Sequence, residues 1–438
     1  MKKRSLLIGA IGLATIIIVS SLAIYANSVL NPEGSHVAWE RSIPNFATAL
    51  TTDDGKVFTM DISGNVNAYD QKTGASIWNG SSVGGYFAKG LIVAEGKVYG
   101  GFHYASVGCL DESTGQFLWN RMYTAGANQA PDNLIAKDGR LFVVAEGPSA
   151  GVTALNASTG DILWQTPYRY DIYGNITDSR TWWVAGYPLE GDPFEGNTVY
   201  ALGGNQSNAY IFKLDTSNGK VLWQTSNFTL MAIPSVITTF NGQVIIENGN
   251  QFQSLNQTTG DNLWHKEINA TSIYSPRAYE DVLFFGTSDG NFCALNMFSG
   301  NISATTNVDS QNLLVNTNNY TPTVYPIQID QDKHRIYWSF GFNLQDQYEG
   351  TLVSLDLTTC NIVWTKQIQD SILGFEGQAG LAINKDTVYL TENNALWVFT
   401  SSNGDLSRNQ HFDHYVLAPT IYDDEVFVAS DLQLTAYR

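Results

Sequence analysis

Only three cysteines occur in the 438 residues, at 109, 293 and 360. An odd number spread this widely excludes a disulfide framework. Cys109 and Cys293 sit just before a core Leu of a repeated pattern, which reads as small buried hydrophobes rather than redox or metal chemistry. Histidine is also scarce: His36, His103, His265, His334, His411 and His414 are scattered, and only the last two are close, with no third ligand following. That pair reads as a solvated strand end. Basic residues number 23 against 41 acidic ones, a formal charge of -18, so a general attraction to nucleic-acid phosphates is excluded and a soluble acidic surface is expected. Asp330 with Asp332, and Asp423 with Asp424 and Glu425, lack the alternating oxygen ligands and the Gly of a calcium loop, and read as turns.

Long apolar runs are missing except for one. Lys2, Lys3 and Arg4 precede an uncharged run from Ser5 to Leu30 whose apolar core is Leu6 to Ala26. As a helix rising about 1.5 Å per residue, that core spans roughly 31 Å, which matches a hydrocarbon layer of about 30 Å. The flanking charges predict a signal anchor over residues 1–30, the N-terminus inside and the remainder outside. Cleavage near Ser21, Leu22 and Ala23 would instead release a secreted protein. No Cys lies near this segment, which excludes a lipid-modified N-terminal cysteine. Residues 31–36 read as a linker and 37–438 as the exported domain.

What the chain has in quantity is aromatics, at 12%, and 39 glycines, a mixture suited to short strands and tight turns. One pattern recurs: a strand ending in Leu or Tyr, then Asp or Asn, a turn with Thr or Ser before Gly, and a strand carrying Trp. Ala68, Tyr69, Asp70, Thr73, Gly74 and Trp78 form the first copy. The Leu, Tyr or Phe positions 69, 110, 155, 214, 255, 295, 355 and 399 are spaced by 41, 45, 59, 41, 40, 60 and 44 residues, close to the roughly 40–50 of a four-stranded propeller blade. Two copies depart from the pattern at Ala304 and Arg408, where Trp is expected, and one at Cys360, where Gly is expected. Gly permits positive φ in the turn, Asp or Asn accepts its backbone N–H groups, and Trp offers a flat face for packing between blades. Trp39, Trp78, Trp119, Trp164, Trp223, Trp264 and Trp364 are therefore assigned as structural blade-docking residues.

Ala68, Asp70, Thr73, Gly74 and Trp78 resemble the tryptophan-docking motif of the PQQ-like propeller superfamily, which includes quinoprotein alcohol dehydrogenases and the propeller lipoprotein of outer-membrane barrel assembly. The resemblance covers nearly all of residues 37–438 and implies an all-β propeller of eight blades. The residues themselves count to nine: eight internal copies, and a last one completed when the strand around Trp39 pairs with the strand ending in Ala436, Tyr437 and Arg438. Such pairing hides both sheet edges.

The two long spacings contain insertions, Tyr168 to Gly196 and Asn307 to Tyr325, and a third extension runs from Gly341 to Glu349. In a propeller all three emerge on one face, and loops on a rigid scaffold carry recognition. Tyr170, Tyr173, Arg180 and Tyr348 are the candidate partner-binding residues, while Trp182 and Trp183 read as packing residues at a strand start. Nine Asn-x-Ser/Thr triplets occur, of which Asn175, Asn227, Asn269 and Asn319 are candidate glycosylation sites. The family's enzymes imply a quinone cofactor with calcium and a vicinal cysteine pair. No such pair exists here, and neither cation ligands nor a base map onto any motif. The expectation is a non-enzymatic scaffold for envelope proteins or glycans, with no cofactor; the alternative is a PQQ-dependent dehydrogenase.

Overall fold

The computed structural model describes residues 37–83, 89–102, 106–123, 134–145, 151–165, 181–183, 194–205, 208–226, 228, 235–310, 313–314, 322–344, 347–371, 380–430 and 432–438. The expected anchor and linker, 1–36, lie outside them. Among the described residues no helix is long and apolar enough to cross a membrane.

The described strands form nine antiparallel sheets, each with a path of four strands. Blade 1 comprises Ala47–Asp53, Lys56–Asp61, Asn65–Asp70 and Ser76–Ser82. Blade 2 follows at residues 89–122, blade 3 at 134–165, blade 4 at 181–224, blade 5 at 235–267, blade 6 at 273–307, blade 7 at 323–371 and blade 8 at 380–411. Blade 9 takes Thr420–Tyr422, Glu425–Ser430 and Gln433–Tyr437 from the end of the chain and Val37–Ser42 from its beginning. The count is nine, not the eight that the family resemblance implies.

First strands touch between blades 1 and 2, 2 and 3, 5 and 6, 7 and 8, and 8 and 9, and Thr420–Tyr422 meets Ala47–Asp53, so the ring closes with first strands innermost. Closure is a backbone ladder: Trp39 lies opposite Ala436, Glu40 opposite Thr435 and Arg41 opposite Leu434. Sheet faces are apolar because each packs on a neighbour. Val98 and Leu110 of blade 2, for instance, share a core with Phe58 and Ala68 of blade 1.

The recurring motif builds the outer wall. In blade 2, Asp111 accepts the backbone N–H groups of Ser113 at 3.1 Å and Thr114 at 2.9 Å. The turn closes when Gly115 N–H donates to the Asp111 carbonyl at 2.9 Å, with Gly115 at φ +69°. Pairing of the third and fourth strands slips by one residue between Cys109 and Leu110, and the same bulge recurs in blades 1 and 3–8. The extra residue precedes the Trp position, bending the strand so that the indole reaches the next blade. Trp78, Trp119, Trp164, Trp223, Trp264 and Trp364 each lie against the turn Gly of the following blade, and Trp39 lies against Gly74 of blade 1. A Cβ on any of those glycines would meet a ring atom at 2.5–2.7 Å. Each indole N–H also donates to the carbonyl three residues before that Gly, as Trp78 does to Glu112 at 3.0 Å and Trp364 to Ser401 at 2.9 Å.

The two interfaces without a Trp are solved differently. Between blades 6 and 7, where Ala304 stands at the Trp position, the turn residue beneath it is Cys360, fully buried at φ +57°. The thiol takes space that the missing indole would claim, and both residues join one cluster with Trp338, Phe292 and Phe284. Between blades 8 and 9 there is no turn to dock on, because blade 9 is made from the two ends of the chain. Arg408 instead lays its guanidinium over the Tyr437 ring, 5.3 Å from its centroid.

Candidate binding face

Antiparallel geometry gives the ring two unlike faces. The motif turns and the turns between first and second strands form one, the docking-turn face. Loops joining second to third strands, and the connections from blade to blade, form the other, the crossover face. First strands are bulged where they leave the crossover face, between Ala47 and Ala49, Lys89 and Leu91, Val236 and Thr238, and Tyr274 and Arg277. Bulges of this kind re-aim side chains at a rim.

Three groups of described side chains stand out on the crossover face. At the ring closure, Phe46 packs on His414 with ring centroids 4.7 Å apart and on Tyr415 at 6.3 Å. Phe46 remains 37% exposed. The group is held from below: Tyr415 donates its hydroxyl to the Ala47 carbonyl at 2.9 Å, and Asn45 donates to Asp61 at 2.7 Å. Asp61, itself buried, also accepts the backbone N–H groups of Ser63 and Asn65, both at 2.9 Å. Burial raises the Tyr415 pKa above the usual phenol value, so its hydroxyl stays a neutral donor.

Between blades 7 and 8 lies a buried polar group. Tyr325 donates to Glu392 at 2.8 Å, and Tyr348 is beside them, its ring 5.8 Å from that of Trp397. Tyr348, expected from sequence as an exposed contact, is fully buried. The reason is the glycine pair Gly341 and Gly350, which face each other across the hairpin. Without Cβ atoms they leave a slot in which the Tyr348 ring lies along its own strand; a Cβ on either would meet its hydroxyl at 2.5–2.7 Å. Desolvation pushes the Tyr325 and Tyr348 hydroxyls well above the ordinary range, so both are neutral at any physiological pH. This group joins two blades and has no access to solvent.

The third feature is an open cleft of about 600 Å³ at the connection from blade 5 to blade 6, lined by Asn250, Glu267, Ile268, Asn269, Ala270 and Thr271. Asn269 is exposed there. Tyr170, Tyr173 and Arg180 lie outside the described residues, as do Asn175, Asn227 and Asn319. The Phe46, His414 and Tyr415 group was not visible from sequence, because its members are distant in the chain and meet only through ring closure. The sole signal was His414 close to His411, which reads as a solvated strand end.

Burial raises the Cys109 thiol to about 12 and the Cys360 thiol to about 11, as expected for packing residues. Among the described residues no three His, Cys, Asp or Glu side chains converge in a way that would hold a metal ion. The sequence holds no vicinal cysteine pair.

A family model described as outer membrane protein assembly factor BamB matches residues 27–133, 62–171 and 173–410. The chain belongs to this PQQ-like propeller family. The family member from Yersinia pestis, outer membrane protein assembly factor BamB, is 22% identical over 295 residues, covering 63% of this chain and 66% of that protein, a little under two thirds. BamB from Moraxella catarrhalis superimposes with a TM-score of 0.51 at 12% identity, over 92% of this chain and all of the other. A quinohemoprotein alcohol dehydrogenase from Pseudomonas putida gives 0.51 at 14% identity, over 93% of this chain and 76% of the enzyme. At these identities the structural likenesses establish the propeller alone.

Proposed function

We propose that the chain is a membrane-anchored scaffold of the cell envelope that holds a protein or glycan partner on its crossover face. The observation that carries this reading is the Phe46, His414 and Tyr415 group, an aromatic cluster with Phe46 exposed and its partners half-buried, on a rigid seam beside the ring's inner strands. Aromatic side chains supply large contact area at little cost in conformational entropy, and here the backbone beneath them is already fixed. Membership of the BamB family favours a scaffold over an enzyme. The insertion carrying Tyr170, Tyr173 and Arg180 falls in sequence between the strands Ile162–Gln165 and Thr181–Trp183, and in this proposal it would extend the contact surface.

Residues 1–30 supply the anchor in this reading. Val37–Ser42 starts at the docking-turn face, since Val37 lies opposite Tyr437. The six residues 31–36 reach at most about 20 Å when extended, so the docking-turn face would be held toward the bilayer and the crossover face away from it.

Capture of cross-linked envelope proteins and glycans by the full-length chain tests the proposal. Phe46→Ala with His414→Ala, and separately Tyr170→Ala with Tyr173→Ala, should reduce capture while leaving the melting curve unchanged. Exposed substitutions usually shift stability by about 0.5 kcal/mol or less, whereas an aromatic hot spot contributes about 2 kcal/mol or more to binding. Undiminished capture by both variants would remove the crossover face from consideration. Stoichiometric binding of PQQ with calcium, together with dye reduction by alcohols or sugars, would replace the scaffold with an enzyme.

A further inference from the structure

The fold sorts the Asn-x-Ser/Thr triplets by what their side chains already do. Asn156 and Asn256 are motif residues: Asn156 Oδ1 accepts the N–H groups of Ser158 at 2.8 Å and Thr159 at 3.1 Å, and Asn256 Oδ1 those of Thr258 at 2.8 Å and Thr259 at 3.0 Å. Both turns are pinned beneath docked Trp rings. Turning either carboxamide outward would break two hydrogen bonds and open the turn. Asn79 lies inside an outer strand and accepts the Ser76 hydroxyl at 2.8 Å. Asn301 leads directly into the strand Ile302–Asn307, so the rest of its triplet is locked in a paired sheet.

Asn269, Ala270 and Thr271 differ from all of these. The triplet runs through three successive bends between Asn262–Glu267 and Ile273–Tyr279, with Asn269 and Thr271 exposed. It is the one triplet among the described residues that lies wholly outside strands and motif turns. The Asn269 carboxamide makes no hydrogen bond to the described residues, and it borders the open cleft with Asn250 and Glu267. The loop is nonetheless held in place: Ile268 N–H donates to the Asn250 carbonyl at 2.9 Å, and Thr271 N–H donates to the Ser288 hydroxyl at 3.0 Å. One anchor precedes the triplet and the other holds its Thr271, whose hydroxyl also lies 2.8 Å from that of Ser288; neither engages the acceptor amide.

We infer that Asn269 is an N-glycosylation site of this propeller, in preference to Asn79, Asn156, Asn256 and Asn301. The donor is a glycan carried on a polyprenyl phosphate or pyrophosphate. The Asn269 amide nitrogen attacks the anomeric carbon, the N–C bond forms as the C–O bond to phosphate breaks, the lipid phosphate leaves with the electron pair, and the amide loses one proton to a transferase base. No oxidant or reductant is involved. A glycan here would cover the blade 5–6 sector, nearly opposite the Phe46 group at the blade 9–1 closure, and so leave the proposed binding sector open. The inference rests on the reading that the propeller lies outside the membrane.

The test is glycopeptide mass spectrometry on the full-length chain purified from its own cells, with protease shaving of intact cells in parallel. Expected are a saccharide mass on the peptide containing Asn269, its loss in Asn269→Gln and in Thr271→Ala, its retention in Thr271→Ser, and unmodified Asn156 and Asn256. A bare Asn269, or saccharide on Asn156 or Asn256 instead, overturns the inference. Shaving tells which idea failed: a bare Asn269 on a shaved, outward-facing propeller sinks the site alone, whereas a protected propeller sinks the outward placement as well.

Discussion

The interface between blades 6 and 7 offers a direct test of the rule that each outer-wall Trp and the next turn's Gly are one packing unit. There the pair is Ala304 and Cys360, and Thr306 holds the turn by donating its hydroxyl to the Cys360 carbonyl at 2.8 Å. Ala304→Trp alone drives an indole into space taken by a buried thiol, and overpacking of this kind costs about 1–3 kcal/mol. Cys360→Gly alone removes a buried side chain at a cost of about 1–2 kcal/mol, offset by a similar relief, about 1–2 kcal/mol, from freeing a left-handed backbone position of its Cβ. The double variant recreates the arrangement seen at seven other interfaces, with the new indole N–H facing the Leu357 carbonyl, three residues before position 360. A double-mutant cycle read from urea midpoints at constant slope should therefore show favourable coupling of about 2–3 kcal/mol. Additivity within about 0.5 kcal/mol would mean that Cys360 does not stand in for the ring, and the packing argument would fail.

Two further outcomes follow from closure and from the turns. Deletion through Asn31 should leave thermal unfolding unchanged, whereas deletion through Arg41 removes a ladder strand, the Trp39 contact with Gly74 and the 2.7 Å bond from Arg41 to the Gly74 carbonyl; Trp39 is partly buried, and its loss together with the strand should cost about 3 kcal/mol or more, so equal midpoints would refute end-to-end closure. The turn carboxylates Asp70, Asp111, Asp215 and Asp356 are held below the usual range, chiefly by the Thr73 hydroxyl, the Ser113 and Thr114 hydroxyls, the Ser217 hydroxyl and the Thr359 N–H respectively. Because the folded pKa lies below the unfolded value of about 3.9, the stability they contribute is complete above that pH and lost as pH falls through the folded value. Changing all four to Asn, the residue already found at 156, 256 and 296, should flatten the acid limb of a pH titration of stability and leave neutral stability nearly unchanged. An acid limb as steep as that of the parent chain would show that other groups control it.

The repeat was legible because its residues are local. Within one turn Asp, Thr and Gly satisfy each other, and the Trp needs only the copy that follows, so a period near forty residues carries the fold, the blade count and the closing strand at Trp39. The exceptions were visible as letters, Ala304, Cys360 and Arg408, but not as partners. Nothing in a linear reading pairs Ala304 with a residue 56 positions later. Tyr348 failed for a related reason: an aromatic in a polar hairpin reads as a contact, and only the register that sets Gly341 opposite Gly350 creates the slot that buries it.

By itself, then, the sequence determined what short-range physics determines: four strands per unit, turn chemistry, the docking Trp and the number of units, nine by residue count. Tertiary structure alone decided which side chains meet across the ring. Phe46 and His414 are 368 positions apart and become neighbours because the first strand completes the last blade. Likewise, whether an Asn-x-Thr triplet is spent in a turn or left projecting depends on the hydrogen bonds its carboxamide makes, and those are set when neighbouring blades lock the backbone in place.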